Sequence, residues 1–146
     1  MDVENLKIET QPSHQDVDFL EGQLNAYNIA KTGIPFGGYL SCFIRNDQGK
    51  IVAGLYGYTW GACCQIEVLW VHEHLRGKGY GTSLLKAAEA EAMRRGCSLV
   101  VLDTHSFQAE GFYLKHGYEI AGAIAGYPLP EYRVIYLYKR LSQEKK

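Results

Sequence analysis

The chain has 146 residues, of which 47% are hydrophobic and 21% are charged, and its formal net charge is -1. These values suit one soluble globular domain spanning residues 1–146. The near-zero charge argues against a general affinity for nucleic acid or anionic membranes, and no apolar run reaches the roughly 20 residues that span a bilayer.

The N-terminal segment predicts a location and a first strand. Residues 1–5 are acidic and polar, unlike a secretory signal, so we expect a cytoplasmic protein. Leu6 to Thr10 then alternates apolar and polar residues, which is the pattern of a short strand.

A helix is predicted after this strand. Ser13 is its expected N-cap, and Asp16 three residues later completes a capping-box pattern. The helix should end near Lys31, because a glycine and a proline follow within Thr32–Pro35. Phe36–Gly38 is predicted to be a flexible connector.

Three strands joined by short turns are expected next, and they form an antiparallel meander. They span Tyr39–Arg45, Lys50–Tyr58 and Cys63–His72. The glycines of the second strand indicate a bulge or close backbone packing. The third strand is rich in β-formers from Ile66 to Val71, so we expect a central strand that is buried on both faces.

The third strand leads through a short polar loop into a glycine-rich turn that opens a helix. Residues Arg76–Gly81 read Arg-Gly-Lys-Gly-Tyr-Gly, and glycine at this spacing permits positive φ and close approach of a ligand. The helix runs to Arg95, and its apolar face contains Leu84, Leu85, Ala88 and Ala92. Free N–H groups at a helix start, beside Arg76 and Lys78, predict a site for an anionic phosphate.

The last third of the chain predicts a strand, a short helix and two final strands. Leu99–Leu102 is an apolar run after a crossover helix, so it should lie parallel to the third strand of the meander. The short helix covers Ala109–Lys115, and the final strands cover Tyr118–Ala123 and Arg133–Lys139. The four cysteines lack C-x-x-C spacing and are predicted to be reduced, mostly buried thiols rather than a metal site.

Two segments resemble a known family. Arg76–Gly81 matches the R/Q-x-x-G-x-G/A signature of the GNAT superfamily of N-acetyltransferases, and Leu69–His72 resembles the strand before that loop. Ala109–Tyr118 is similar to the family's A-x-x-F-Y-x-x-x-G-F/Y segment. The resemblance implies an α+β fold with a mixed sheet, in which an antiparallel meander is followed by a splayed parallel strand pair, with helices on both faces.

The resemblance also implies transfer of an acetyl group from acetyl-CoA to a primary amine within a ternary complex, without a metal ion. It places the coenzyme against the glycine turn and the strand before it, at Leu69, Trp70, Val71, Arg76, Gly77, Lys78, Gly79, Tyr80, Gly81 and Thr82. The first three residues of this set would act through their main chain. Ser106 stands where the family often has Asn, and a hydroxyl lacks the paired donor and acceptor of an amide.

Two side chains are the candidates for proton transfer. The resemblance places Tyr113 near the coenzyme sulfur as general acid. A phenol with a pKa of about 10 can protonate a thiolate whose thiol has a pKa of about 8.5. Glu67 is the acid within the central strand and is the candidate base. His72 and His105 are alternatives, since histidine titrates in a suitable range, and some family members select an amine that is already neutral.

Several alternatives stay open at this point. The acceptor is predicted to be a small molecule rather than a protein lysine or N-terminus, with Asp103 and Thr104 near it, and family members are often homodimers. A dinucleotide-dependent oxidoreductase is disfavoured, because the third glycine is Gly81 where that fingerprint needs it at position 82. A non-catalytic module that binds acyl-CoA is the other alternative, since a fold does not fix a function.

Overall fold

The computed structural model describes residues 5–11 and 13–142. In chain order the elements are α1 (His14–Thr32), β1 (Phe36–Arg45), β2 (Ile51–Trp60), β3 (Cys63–Val71), a 3₁₀ turn (Glu73–Leu75), α2 (Tyr80–Arg94), β4 (Leu99–His105), α3 (Glu110–Lys115), β5 (Glu119–Ala125) and β6 (Arg133–Arg140). The chain divides into two compact units between Phe36 and Gly37. One acetyltransferase domain over residues 1–146 stays a prediction.

In the first unit, the ends of α1 are those expected from the sequence. The Ser13 hydroxyl accepts a hydrogen bond from the Asp16 N–H at 3.2 Å, and the Asp16 carboxylate accepts one from the Ser13 N–H at 3.4 Å. Gly33 ends the helix with a φ of 71°, and its N–H donates to the Ile29 carbonyl oxygen. The capping box and the glycine stop are therefore confirmed.

The strand predicted for Leu6–Thr10 is wrong: among the described residues 5–11 the structure has no strand. Leu6 and Ile8 are 68% and 96% exposed. An alternating pattern makes a strand possible, but strand formation also needs a neighbouring chain to pair with its N–H and C=O groups, and the pattern does not supply one.

The second unit contains one sheet of six strands in the order β1-β2-β3-β4-β6-β5. β2 and β3 pair antiparallel, as do β4 with β6 and β5 with β6, whereas β3 and β4 are parallel. The meander and the parallel crossover pair are confirmed. Phe36–Gly38, predicted to be a connector, instead belongs to β1.

The core lies between α2 and the sheet. The predicted apolar face of α2 is confirmed, because all of its members are buried: Leu84, Leu85, Ala88 and Ala92. They pack in one cluster with strand residues such as Leu55, Cys64 and Ile135. The cysteines are free thiols that are buried or half-buried, and burial raises the pKa of each of them, as at Cys64.

A bulge in β3 shapes its second half. Tyr56 pairs with Val68 but Gly57 pairs with Ile66, so Glu67 is an extra residue on β3. The backbones of β2 and β3 approach closely at this bulge, because a Cβ at Gly57 would lie 2.2 Å from the Gln65 carbonyl oxygen. Only glycine fits this position, as the glycine pattern of the second predicted strand indicated.

β3 and β4 separate soon after they begin to pair. Their register runs over Cys63–Gln65 and Leu99–Val101 and stops there. In this second half the side chains of Val68 and Trp70 are 53% and 43% exposed, whereas those of Leu69 and Val71 at the alternate positions are half-buried. The prediction that this strand is buried on both faces is therefore wrong for its second half, which borders a cleft rather than a neighbouring strand.

Candidate active site

A cleft of about 720 Å³ opens where β3 and β4 part. One wall is the second half of β3, and the opposite wall is the end of β4 with the first part of α3. The glycine-rich turn and the first residues of α2 close one end. The residues predicted to bind the coenzyme line this cleft, apart from Lys78 and Ser106, and so do Tyr113 and Glu67, whereas the alternative bases His72 and His105 do not.

Two glycines of the turn have backbone conformations that other residues rarely adopt. Gly77 and Gly79 have φ values of 75° and 88°. A Cβ at either position would meet no described atom within 4 Å, so open space borders the turn on the side that a ligand can enter. Gly81 differs, since it lies in α2 and a Cβ there would lie 3.4 Å from the Phe112 ring.

The start of α2 presents backbone N–H groups to the cleft. The first bond of the helix runs from the Ser83 N–H to the Gly79 carbonyl oxygen at 3.0 Å. The N–H groups of Tyr80, Gly81 and Thr82 precede it and have no acceptor within the helix. Together with the positive end of the helix dipole, they make this end of the cleft suitable for an anionic group such as a diphosphate.

Arg76 adds positive charge to the same end of the cleft. Its Nε donates to the Val71 carbonyl oxygen at 3.0 Å, which fixes the side chain along the cleft wall. The rest of the guanidinium group keeps N–H donors for an anion. Lys78 is exposed and is not among the residues that line the cleft, so its predicted contact is not supported by this geometry.

The register of β2 and β3 decides which main-chain groups of β3 face the cleft. The His72 N–H donates to the Val52 carbonyl oxygen opposite it, which makes this a hydrogen-bonded pair. Because such pairs alternate with non-bonded ones, the polar groups of Trp70 also point to β2, whereas those of Leu69 and Val71 point to the cleft side. Of the three residues predicted to act through their main chain, Leu69 and Val71 therefore have groups that face the cleft, and Trp70 does not.

Tyr113 brings a phenol to the cleft from a buried position. Its side chain is 6% exposed and lies in the hydrophobic core, and the residue lines the cleft. Burial, with a smaller contribution from the negative charge of Asp103, raises the pKa of Tyr113 to about 12. The phenol therefore keeps its proton at neutral pH and can serve as a donor.

Two carboxylates line the cleft away from the glycine turn. Glu67 is the bulged residue of β3, and Asp103 lies on β4 across the cleft. Glu67 is exposed, and its charge contributes, after burial, to the raised pKa of the neighbouring Tyr58. The cleft thus has Arg76 at one end and acidic groups at the other.

Three other predicted candidates have different surroundings. The His72 ring accepts a hydrogen bond from the His74 N–H at 3.2 Å and caps the 3₁₀ turn. His105 stacks on Phe107 and is not among the cleft-lining residues. The Ser106 hydroxyl oxygen accepts from the Arg133 N–H at 3.1 Å, so the structure does not bring this serine to the predicted coenzyme contact.

Gln108 and Phe107 also line the cleft, and the sequence analysis did not identify them. The Gln108 side-chain oxygen accepts hydrogen bonds from the Thr104 hydroxyl at 3.2 Å and from the His105 N–H at 2.8 Å. This arrangement fixes the amide and leaves its NH₂ group as a donor. No local sequence pattern predicts that Gln108 lines the cleft, because its position depends on where β4 ends relative to α3.

The sequence matches the family model described as "Acetyltransferase (GNAT) family" over residues 6–118. It is 36% identical to the acetyltransferase Atu2258 of Agrobacterium fabrum (strain C58) over 101 residues, which are 69% of this chain and 74% of that protein. It is 37% identical to the blasticidin-S acetyltransferase of Streptomyces morookaense over 83 residues, which are 56% of this chain and 61% of that protein.

Solved structures agree with these sequence matches. The crystal structure of an acetyltransferase from Bacillus cereus is 32% identical, with a TM-score of 0.80 and coverage of 92% of this chain and 98% of that chain. A crystal structure from Agrobacterium tumefaciens is 30% identical, with a TM-score of 0.84 and coverage of 94% and 99%. Among the described residues, no helix is long and apolar enough to cross a membrane.

Proposed function

The chain belongs to the GNAT family of acetyltransferases, and we propose that it transfers the acetyl group of acetyl-CoA directly to a primary amine of a small molecule. The observation that carries the proposal is the polarity of the cleft. A helix start and Arg76 line it at the glycine turn, two carboxylates, Glu67 and Asp103, line it on β3 and β4, and Tyr113 lines it on α3. Such a cleft suits an anionic acyl donor and a cationic acceptor at the same time.

Several groups would hold the donor. The N–H groups of Tyr80, Gly81 and Thr82, with the guanidinium of Arg76, would bind its diphosphate. The main-chain groups of Leu69 and the N–H of Val71, whose carbonyl oxygen already accepts from Arg76, would bind the pantetheine arm in the way that a neighbouring strand would, because β4 has moved away from them. Acetyl-CoA supplies the activated acetyl group as a thioester.

The proton transfers fall to side chains on opposite walls. An ammonium group must lose a proton before its nitrogen can attack, and Glu67 would accept that proton directly or through water. Tyr113 would donate its phenolic proton to the departing sulfur. Asp103 would attract the cationic acceptor to the cleft, because two carboxylates favour an ammonium group over a neutral competitor.

The choice of a small acceptor rests on one relative. Blasticidin-S acetyltransferase is named for a small molecule, and its match to this chain supports the same class of acceptor here. Glu67 is exposed, so an amine carried on a peptide can also reach it. An N-terminus or lysine of a peptide is therefore the second candidate.

A screen of acceptors tests the proposal. Release of free coenzyme A thiol from acetyl-CoA would be measured with polyamines, aminoglycosides, amino acids and short peptides. We expect turnover with at least one cationic small amine and a rate on peptides at least about 10-fold lower in kcat/KM. Turnover with peptides alone would overturn the assignment of the acceptor, and no turnover with any amine would overturn the proposed transfer.

A further inference from the structure

A histidine outside the cleft contacts the predicted diphosphate site. Thr82 lines the cleft at the first turn of α2, and its Oγ1 atom lies 3.0 Å from Nε2 of His116, which follows α3. The two residues are 34 positions apart in the chain, so the contact comes from the fold. His116 is not among the residues that line the cleft.

The imidazole of His116 is held in place by its neighbours. The ring is half-buried and lies against Phe112, with ring centroids 4.7 Å apart. Phe112 in turn packs on the first turn of α2, because a Cβ at Gly81 would lie 3.4 Å from its ring. These contacts hold Nε2 of His116 within hydrogen-bond distance of the Thr82 hydroxyl.

The hydroxyl groups of the first turn differ in how their hydrogen is used. Ser83 donates its hydroxyl hydrogen to the Gly79 carbonyl oxygen at 3.1 Å, so that hydrogen is used within the helix. Thr82 has no such bond to the helix among the described contacts, and His116 is its partner. A hydroxyl that receives a hydrogen bond on its oxygen is free to donate its own hydrogen elsewhere.

We propose that His116 is a positioning residue for the acyl donor: its Nε2–H donates to Thr82 Oγ1, which turns the Thr82 hydroxyl hydrogen toward the diphosphate. The inference rests on the proposed function, since it assumes that an anionic diphosphate occupies the start of α2. Hydrogen bonds that run in one direction, from His116 to Thr82 to the diphosphate, polarise and strengthen one another. The diphosphate would therefore bind more tightly because of His116, although it does not contact this residue.

The test compares two donors, acetyl-CoA and S-acetylpantetheine, which lacks the diphosphate and the adenosine 3′-phosphate attached to it. His116→Leu removes the donor and keeps an apolar side chain against Phe112, whereas His116→Gln keeps an N–H near the position of Nε2. We expect His116→Leu to raise KM for acetyl-CoA by about 5–10-fold with kcat unchanged, and to leave KM for S-acetylpantetheine unchanged. His116→Gln should recover most of the loss.

Two further variants complete the cycle. Thr82→Val should raise KM for acetyl-CoA as His116→Leu does, and the double variant should be no worse than either, because both remove one path. Ser83→Ala is the matched control and should leave KM unchanged. Additive effects of Thr82 and His116, equal losses with both donors, or no recovery by Gln would each overturn the inference.

The failure of the inference is distinguishable from the failure of the proposed function. If the wild-type protein uses acetyl-CoA better than S-acetylpantetheine while His116→Leu is unchanged, binding of the nucleotide part of the donor stands and the role of His116 falls. If the wild-type protein gains nothing from the diphosphate, the proposed use of the α2 start falls, and the inference falls with it.

Discussion

The phenol of Tyr113 and the carboxylate of Asp103 line the same cleft, where burial and, to a smaller extent, the Asp103 charge raise the pKa of Tyr113 to about 12. A phenol with that pKa holds its proton over the whole neutral range. Tyr113 can therefore donate a proton to a departing thiolate, and at that pH it does not compete with Glu67 for the proton of the amine.

Replacing Tyr113 with Phe removes the hydroxyl and keeps the ring in the core. We expect kcat to fall by about 10–100-fold and the affinity for coenzyme A to stay nearly intact, because the hydroxyl acts on the departing sulfur. Steady-state kinetics and calorimetry measure the two quantities. Tyr118→Phe is the control: its hydroxyl donates to Glu89 at 2.8 Å, so its loss should lower stability and not kcat. An unchanged kcat with a slow chemical step would remove Tyr113 from the mechanism.

Replacing Glu67 with Gln tests the base. A base must be deprotonated to work, so kcat/KM of the wild-type protein should fall as the pH drops through the pKa of the group. Glu67→Gln should lower kcat/KM by about 10–100-fold at neutral pH and abolish this acidic limb. The pH profile from about 3 to 9, measured with one cationic amine, decides the matter. A limb that persists in Glu67→Gln belongs to another group.

Replacing Gly79 with Ala tests the backbone of the turn. Gly79 has a φ of 88°, and an L-residue with a Cβ needs about 1–2 kcal/mol to enter the left-handed region. We expect affinity for acetyl-CoA to fall by about 10-fold, because the turn no longer aims its N–H groups at the diphosphate. Gly22→Ala, at a position with open space and no positive φ, is the control and should leave the affinity unchanged. Equal affinities for all three proteins would contradict the assignment.

Replacing Gly57 with Ala tests the bulge. The new Cβ would lie 2.2 Å from the Gln65 carbonyl oxygen, which is backbone and cannot move without disturbing the pairing of β2 and β3. We expect the free energy of unfolding to fall by about 3 kcal/mol or more. Gly122→Ala, where a Cβ meets no described atom within 4 Å, should change it by less than about 1 kcal/mol. Chemical denaturation measures the free energy of unfolding of both variants. Similar losses in Gly57→Ala and Gly122→Ala would contradict the close backbone contact at the bulge.

Glu91 predicts a pH dependence of stability. Hydrogen bonds from Arg94 and Arg95 lower the pKa of Glu91 to about 2, well below its usual value. A carboxyl group whose pKa is lowered in the folded state stabilises the fold fully above its unfolded pKa of about 4.3. This stabilisation is lost as the pH falls toward about 2. Glu91→Gln should therefore lose less Tm than the wild-type protein between about pH 5 and pH 2. Parallel losses would show that the pair contributes nothing, as many exposed ion pairs do.

The sequence predicted local features well and non-local ones poorly. The capping box at Ser13, the positive φ of Gly77 and Gly79 and the buried face of α2 depend on neighbours within one turn or loop, so the local pattern was enough. The orientation of main-chain groups in β3 depends on its register with β2 and on the bulge at Glu67. No pattern within the strand could show that the main-chain groups of Trp70 face β2.

The same distinction holds for side chains in the cleft. Tyr113 and Glu67 were identified by their place in a motif and a strand, and both line the cleft. Ser106 was chosen by its position in the motif, but it does not line the cleft, and its hydroxyl oxygen accepts a hydrogen bond from the N–H of Arg133, a residue 27 positions later. Gln108, two residues later, lines the cleft, and β4 extends to His105, beyond the predicted end at Leu102.

Amide hydrogen exchange can show whether the donor binds at the start of α2 and along β3. The N–H groups of Tyr80, Gly81 and Thr82 lie before the first bond of α2, so they should exchange rapidly in the free protein. Adding coenzyme A should slow the exchange at these amides and at Leu69 and Val71, with little change in the interior of α2. Binding of coenzyme A without protection at residues 80–82, or no detectable binding at saturating concentration, would contradict the account.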